Sequence, residues 1–223
     1  MSATLVTDVS VTSRPITESP LTERRWVRRG ELLEAARRVF ERDGYHAATV
    51  SSIVQLAGLS QGAFYLYFVD KKAVFAALQE EMATLLRRRI YWATRDESDP
   101  ARRLTAGLTA YFEFYDEYRN WMRRLTFEGL GIDETFEARQ VQLYETLAGG
   151  FAPTLGELGV RAPAVSAAAL IGMASQVAYW KHYQSQGGPP MTATTLAQAC
   201  ASLFLHGAAS IPISSPPEGD TNA

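Results

Sequence analysis

The sequence predicts an all-α chain of about nine helices, with an amino-terminal three-helix helix-turn-helix domain followed by a carboxy-terminal helical bundle. Three observations predict it. Apolar residues recur three and four positions apart over most of residues 23–206, and the two-residue alternation of strands is absent. Gly and Pro stand mainly at the joints between those periodic runs. Several runs are preceded by Ser, Thr or Asp, whose side-chain oxygens accept the unpaired amide protons of a helix start.

The first helix is expected over Glu23 to Arg42, with Leu32, Ala36, Val39 and Phe40 on one apolar face. Asp43-Gly44 stops it, because Gly accepts the left-handed conformation that ends helices. Thr49 caps a short helix from Val50 to Ala57, and Gly58 breaks it. Ser60 caps the next, from Gln61 to Tyr67. Asp70 caps a longer helix from Lys71 to about Ala93. Asp99-Pro100 pairs a capping Asp with Pro at the first helical position, opening a helix to about Tyr118.

A short helix from Asn120 to Phe127 follows. Gly129 and Gly131 separate it from one near Glu134 to Leu158, loosened at Gly149-Gly150 and Pro153. Pro163 opens a helix to about Gln184, ended by Gly187-Gly188-Pro189-Pro190. The last runs from Thr192 to His206. Residues 1–22 and 209–223, rich in Ser, Thr and Pro, read as disordered tails. The domain division is then 23–70 for the helix-turn-helix domain and 71–208 for a second, helical domain.

Composition narrows the class. The 223 residues are 47% hydrophobic and 21% charged, an ordinary globular balance. One cysteine, Cys200, excludes an internal disulfide framework and fits a reducing, cytoplasmic setting. No apolar run of signal-peptide or membrane-spanning length occurs. Net charge is −2, but Arg24 to Arg95 hold 13 Lys and Arg against 7 Asp and Glu, and the remainder is acidic. A localised basic region is either an electrostatic footprint for a polyanion or an Arg-rich solvated face.

The region from Thr49 to Phe68 gives that charge a geometry. Two short helices joined by Gly58-Leu59-Ser60 cross steeply, as in a helix-turn-helix. Ile53, Leu59, Phe64 and Phe68 supply its apolar contacts with the first helix. Gln61, Gly62, Ala63, Tyr65 and Leu66 are left around the rest of the second helix. Gly62 and Ala63 allow close approach to a groove wall. Gln61 and Tyr65 lie four apart and reach outward together; Gln pairs bidentately with adenine, and Tyr offers a hydroxyl and a ring. Thr49, Ser60, Tyr67 and Lys71 stand at helix ends, where phosphate oxygens are readily bound. The competing reading is that Tyr65 and Tyr67 only pack the three-helix unit.

Residues 26–86 resemble the amino-terminal domain of the TetR family of transcriptional regulators. The resemblance rests on the LLEAARRVF helix, the G-Y-x-x-A-T-V entry, the A-G-L-S turn, the G-x-x-Y-x-Y-F recognition helix and the Lys that follows. It implies base contacts at Gln61, Gly62 and Tyr65 and phosphate contacts at Thr49, Ser60, Tyr67 and Lys71. There are two departures from the family pattern. Ala63-Phe64 replaces a common Thr-Leu, and Leu66 is apolar where a polar or aromatic residue is common. The resemblance also implies a homodimer on a near-palindromic double-stranded operator, a carboxy-terminal bundle that binds a small effector, and repression relieved by that effector.

The acidic remainder is rich in aromatic residues. Tyr111, Tyr115, Trp121, Phe127, Tyr144, Gln176 and Tyr179 are the expected ligand-binding set, for an aromatic or lipophilic effector. The competing reading is that they fill a helical core. Small residues such as Ala164, Ala168 and Gly172, with Leu196, Ala199 and Leu203, let another helix pack closely on the last two helices, either within the chain or, as the resemblance implies, across the homodimer interface. No catalytic constellation, cofactor motif or metal-ligand spacing is found; His46, His182 and His206 are far apart. The functional alternative is an all-helical small-molecule-binding protein without operator binding.

Overall fold

The computed structural model describes residues 20–127, 134–183 and 191–208. Nine α-helices and no strand are present among the described residues. They are α1 (Pro20–Ala47), α2 (Val50–Ala57), α3 (Gln61–Tyr65), α4 (Lys71–Thr94), α5 (Pro100–Glu117), α6 (Arg119–Phe127), α7 (Glu134–Glu157), α8 (Pro163–Tyr183) and α9 (Ala193–Ala208). Residues 1–19 and 209–223, and the Gly129, Gly131 and Gly187–Pro190 joints, lie outside the described residues.

The expected starts and stops have physical counterparts. Asp70 accepts from the Ala73 amide at 2.7 Å, and Asp99 from those of Ala101 and Arg102 at 2.8 and 3.0 Å. Those donors hold the Asp99 carboxyl below its ordinary pKa. Three boundaries differ from expectation. The first helix starts at Pro20, inside the segment expected as tail, and resumes for a turn after Gly44, which breaks it at φ 80°. α6 starts at Arg119, because Tyr118 both closes α5 and accepts from the Met122 amide at 2.9 Å. α3 ends at Tyr65, two residues early, where the Tyr67 and Phe68 amides both turn back to the Phe64 carbonyl.

α1, α2 and α3 enclose Leu32, Ala36, Val39, Phe40, Ile53, Phe64 and Phe68, all buried. α4 carries this unit into the rest of the chain. Phe75 is the hub of the junction, with ring centroids 5.0 Å from Phe40, 5.2 Å from Trp121, 5.0 Å from Phe136 and 5.1 Å from Tyr45. Four helices, α1, α4, α6 and α7, therefore share one aromatic cluster. Arg124 of α6 adds a hydrogen bond to the Glu41 carbonyl at 3.1 Å.

Beyond the junction, α5 runs through the bundle against α4, α7 and α9. Its close approach to α7 depends on Gly107, where a Cβ would lie 2.8 Å from the Phe151 ring. Arg103 of α5 pairs with Glu157 of α7 at 2.9 Å, and Asp116 pairs with Lys181 of α8 at 2.8 Å. No helix of the described residues is long and apolar enough to cross a membrane.

Candidate nucleic-acid interface

The helix-turn-helix is held by local hydrogen bonds. Thr49 forms a capping box with Ser52: the Thr49 hydroxyl accepts from the Ser52 amide at 3.0 Å, and the Ser52 hydroxyl oxygen accepts from the Thr49 amide at 3.1 Å. Gly58 takes the left-handed conformation at φ 66°, so the Leu59 amide reaches back to the Val54 carbonyl at 2.9 Å. Ser60 accepts from the Ala63 amide at 3.2 Å and starts α3. Phe64 and Phe68, 5.7 Å apart, anchor α3 on the inner side. Arg29 of α1 lies over the Phe68 ring at 5.3 Å, tying the first helix to the end of the motif.

What remains outside is a compact exposed surface. Gln61 and Gly62 are exposed, and Tyr65 is 56% exposed. A Cβ built on Gly62 meets only the Ser60 hydroxyl, at 3.9 Å, so nothing in the chain itself requires glycine there. Leu66 and Val69, 72% and 79% exposed, stand beside this surface without a place in the core. Apolar side chains of this kind suit contact with thymine methyl groups. Val69 was not singled out from the sequence; its position off the Phe64/Phe68 face was the signal.

The residues expected at phosphates divide. Thr49 and Ser60 are exposed at helix starts, with their oxygens engaged in the caps. Tyr67 is half-buried against the core. Lys71 has a different task from the one expected. Its ammonium donates to the carbonyls of Tyr45, His46 and Ala48 at 2.7, 3.2 and 2.8 Å and sits 4.5 Å from the centre of the Tyr45 ring. An ammonium has three protons, so its donors are filled. Burial holds its pKa below the ordinary lysine value. Lys71 closes the corner between α1, α2 and α4 instead of reaching outward.

Among the basic residues nearby, Arg24 and Arg25 are exposed on the first turns of α1. Arg28 pairs with Glu31 at 2.8 Å. Arg87 and Arg89 of α4 pair with Glu80 at 3.2 Å and Glu117 at 2.6 Å, as a solvated face would.

The expected ligand set is also split. Tyr111 and Tyr115 are buried with ring centroids 6.3 Å apart, and Tyr144 is close enough to Tyr111 to affect its ionisation. The Tyr111 hydroxyl bonds Ser175 at 2.9 Å, while burial pushes the phenol pKa well up. Tyr115 stacks on His182. Tyr144 lines an apolar groove of about 600 Å³ between α7 and α8. Trp121 stands apart in the Phe40/Phe75 junction, fully buried, and Gln176 is exposed on α8. Tyr179 is half-buried, and the Phe127 side chain lies outside the described residues. Among the described residues no group of His, Cys, Asp and Glu is arranged to hold a metal ion.

Residues 32–78 match the family described as bacterial regulatory proteins, tetR family. The chain is 35% identical over 116 residues to the transcriptional activator FasR of Mycolicibacterium smegmatis, covering 52% of each protein. It is 46% identical over 57 residues to the transcriptional repressor AcnR of Corynebacterium diphtheriae, covering 26% of this chain and 30% of that one. The chain thus spans about half, or less, of the length of these curated relatives. Its fold is similar to that of the fatty acid degradation regulator FadR from Bacillus halodurans, with a TM-score of 0.70 at 20% identity over 86% of this chain and 97% of that one. It is similar also to a transcriptional regulator from Pseudomonas aeruginosa PAO1, with a TM-score of 0.71 at 19% identity over 82% and 92%.

Proposed function

Because residues 32–78 make this chain a member of the TetR family of bacterial regulatory proteins, we propose that it is a cytoplasmic, ligand-responsive transcriptional regulator. It binds a near-palindromic operator as a homodimer and, as a repressor, leaves that operator when a small molecule binds. Its task is binding, not catalysis. Residues 23–70 form the reading domain and residues 71–208 the ligand-binding and dimerising domain.

The observation that carries this reading is the exposed Gln61–Gly62–Tyr65 surface on a frame fixed by the Thr49, Gly58 and Ser60 caps. Gly62 faces open space, so the backbone can approach a groove wall to a distance that a side chain would prevent. Gln61 and Tyr65 then contact base edges, with Leu66 and Val69 against thymine methyls. Thr49, Ser60 and Tyr67 contact phosphates, and Lys71 holds their corner in place.

Dimerisation through α8 and α9 is supported by their exposed apolar and small residues. Val165 and Leu203 are 73% and 67% exposed, beside Ala168, Ala169 and Gly172. A two-fold dimer sets two recognition helices at successive major grooves. The effector, aromatic or lipophilic, is bound by the bundle near Tyr111, Tyr115 and Tyr144. Coupling to the reading domain runs through Phe75, because α1, α4, α6 and α7 meet there and a packed junction moves between discrete arrangements.

Footprinting on the gene's own promoter tests the reading. Two protected half-sites about one helical turn apart, lost on adding effector, are expected. No protected site at low salt would favour the alternative, a ligand-binding protein that does not bind an operator.

A further inference from the structure

Between α4 and α7 lies a polar crevice of about 300 Å³ that the aromatic interior does not explain. Gln79 of α4 and Arg139 of α7 both line it. Gln79 is 7% exposed, and its side-chain Oε1 is covered with no hydrogen-bond partner. Arg139 has its Nε covered and likewise unpartnered. Among the described residues no carboxylate pairs with Arg139, whereas neighbouring Arg87 is held by Glu80 and Thr84 at 3.2 and 2.8 Å. A buried amide without a partner destabilises a fold, and a covered guanidinium N–H without an acceptor does the same. Both side chains line one crevice, where a single ligand can bridge them.

The chemistry of that ligand follows from the two groups. A guanidinium fork matches a carboxylate. A primary amide pairs with a second amide or a hydroxyl. The crevice adjoins a groove of about 670 Å³ that reaches Arg29 of α1 and shares Glu80 and Arg139, so a longer molecule can extend along α4. We propose that the Gln79/Arg139 crevice is a binding site for a small organic carboxylate that carries an amide or hydroxyl group. The site goes beyond the regulator reading, because its occupancy is measured on the protein without DNA.

Hippurate, which has one carboxylate and one amide, is a suitable probe, and hippuramide is its uncharged counterpart. Isothermal titration of the full chain should show saturable binding of hippurate. Arg139→Gln, Gln79→Leu and the replacement of hippurate by hippuramide should each weaken binding at least about tenfold. Gln79→Leu removes an unsatisfied buried amide, so its melting temperature should stay at or above that of the parent chain, which separates lost binding from lost folding. Hippurate binding that is unchanged in both variants overturns the proposal. So does the absence of saturable binding to the parent chain up to about 10 mM, which would mark the crevice as filled by water alone.

Discussion

The Lys71 ammonium stands 2.7 Å from the Tyr45 carbonyl oxygen and 4.5 Å from the centre of the same residue's ring. One lysine thus holds the end of α1 by a charge-assisted hydrogen bond and by a cation–π contact, while it also binds the His46 and Ala48 carbonyls. This corner sets where α2 leaves α1, and so where α3 points. Lys71→Met should leave three carbonyls without their donor and lower stability by about 1–3 kcal/mol. The slope of operator affinity against salt should be unchanged, since Lys71 neutralises no phosphate. Chemical denaturation and a salt series of binding curves check both statements.

Gly62 separates folding from recognition. Its Cβ site is open, and alanine is favoured over glycine inside a helix by up to about 1 kcal/mol. Gly62→Ala should therefore melt at or above the parent temperature, and Gly62→Leu should still fold. Operator affinity should fall with side-chain size, by at least about tenfold for Leu, measured by fluorescence anisotropy.

Tyr65 is more than half exposed and meets the Phe64 ring edge-on at 5.4 Å. Tyr65→Ala should change stability by less than about 1 kcal/mol. Operator binding should weaken by about 1–3 kcal/mol if the ring and hydroxyl read a base pair.

Trp121 fills the junction completely. Trp121→Ala should cost about 3–5 kcal/mol by leaving a cavity beside Phe40 and Phe75. Trp121→Phe should cost less and should reduce the effect of effector on DNA affinity, because the packing that links α6 to α1 is loosened. Denaturation and binding titrations with and without effector distinguish the two results.

Tyr111 supplies a pH test. Burial raises its folded pKa above the ordinary value near 10. Its contribution to stability is then complete below about pH 10 and is lost as pH rises beyond that value towards the folded pKa. Tyr111→Phe should flatten the alkaline limb of the stability profile, followed by melting temperature between neutral pH and about pH 11.

Local chemistry was legible in the sequence wherever one side chain serves one backbone. Thr49, Ser60, Asp70 and Asp99 cap the helices they were expected to cap, and Gly58 takes the positive φ its turn requires. Periodicity likewise identified Phe64 and Phe68 as inner and Tyr65 as outer. What periodicity does not carry is the partner across the chain. Lys71 meets carbonyls more than twenty positions away, so its clamp follows from the path of the chain and not from its own neighbours in sequence. Trp121 and Tyr115 are both apolar, aromatic and buried, yet one belongs to the junction and the other to the bundle interior.

The most direct measurement is anisotropy titration of the gene's own promoter fragment with the parent chain, Tyr65→Ala and Gly62→Leu, each first shown to be folded. Saturable binding by the parent chain to a near-palindromic site, lost steeply with added salt and weakened at least about tenfold in both variants, is the expected result. Equal binding by all three proteins, or no saturable binding by the parent chain at low salt, would contradict the assignment of Gln61–Tyr65 as the surface that reads DNA.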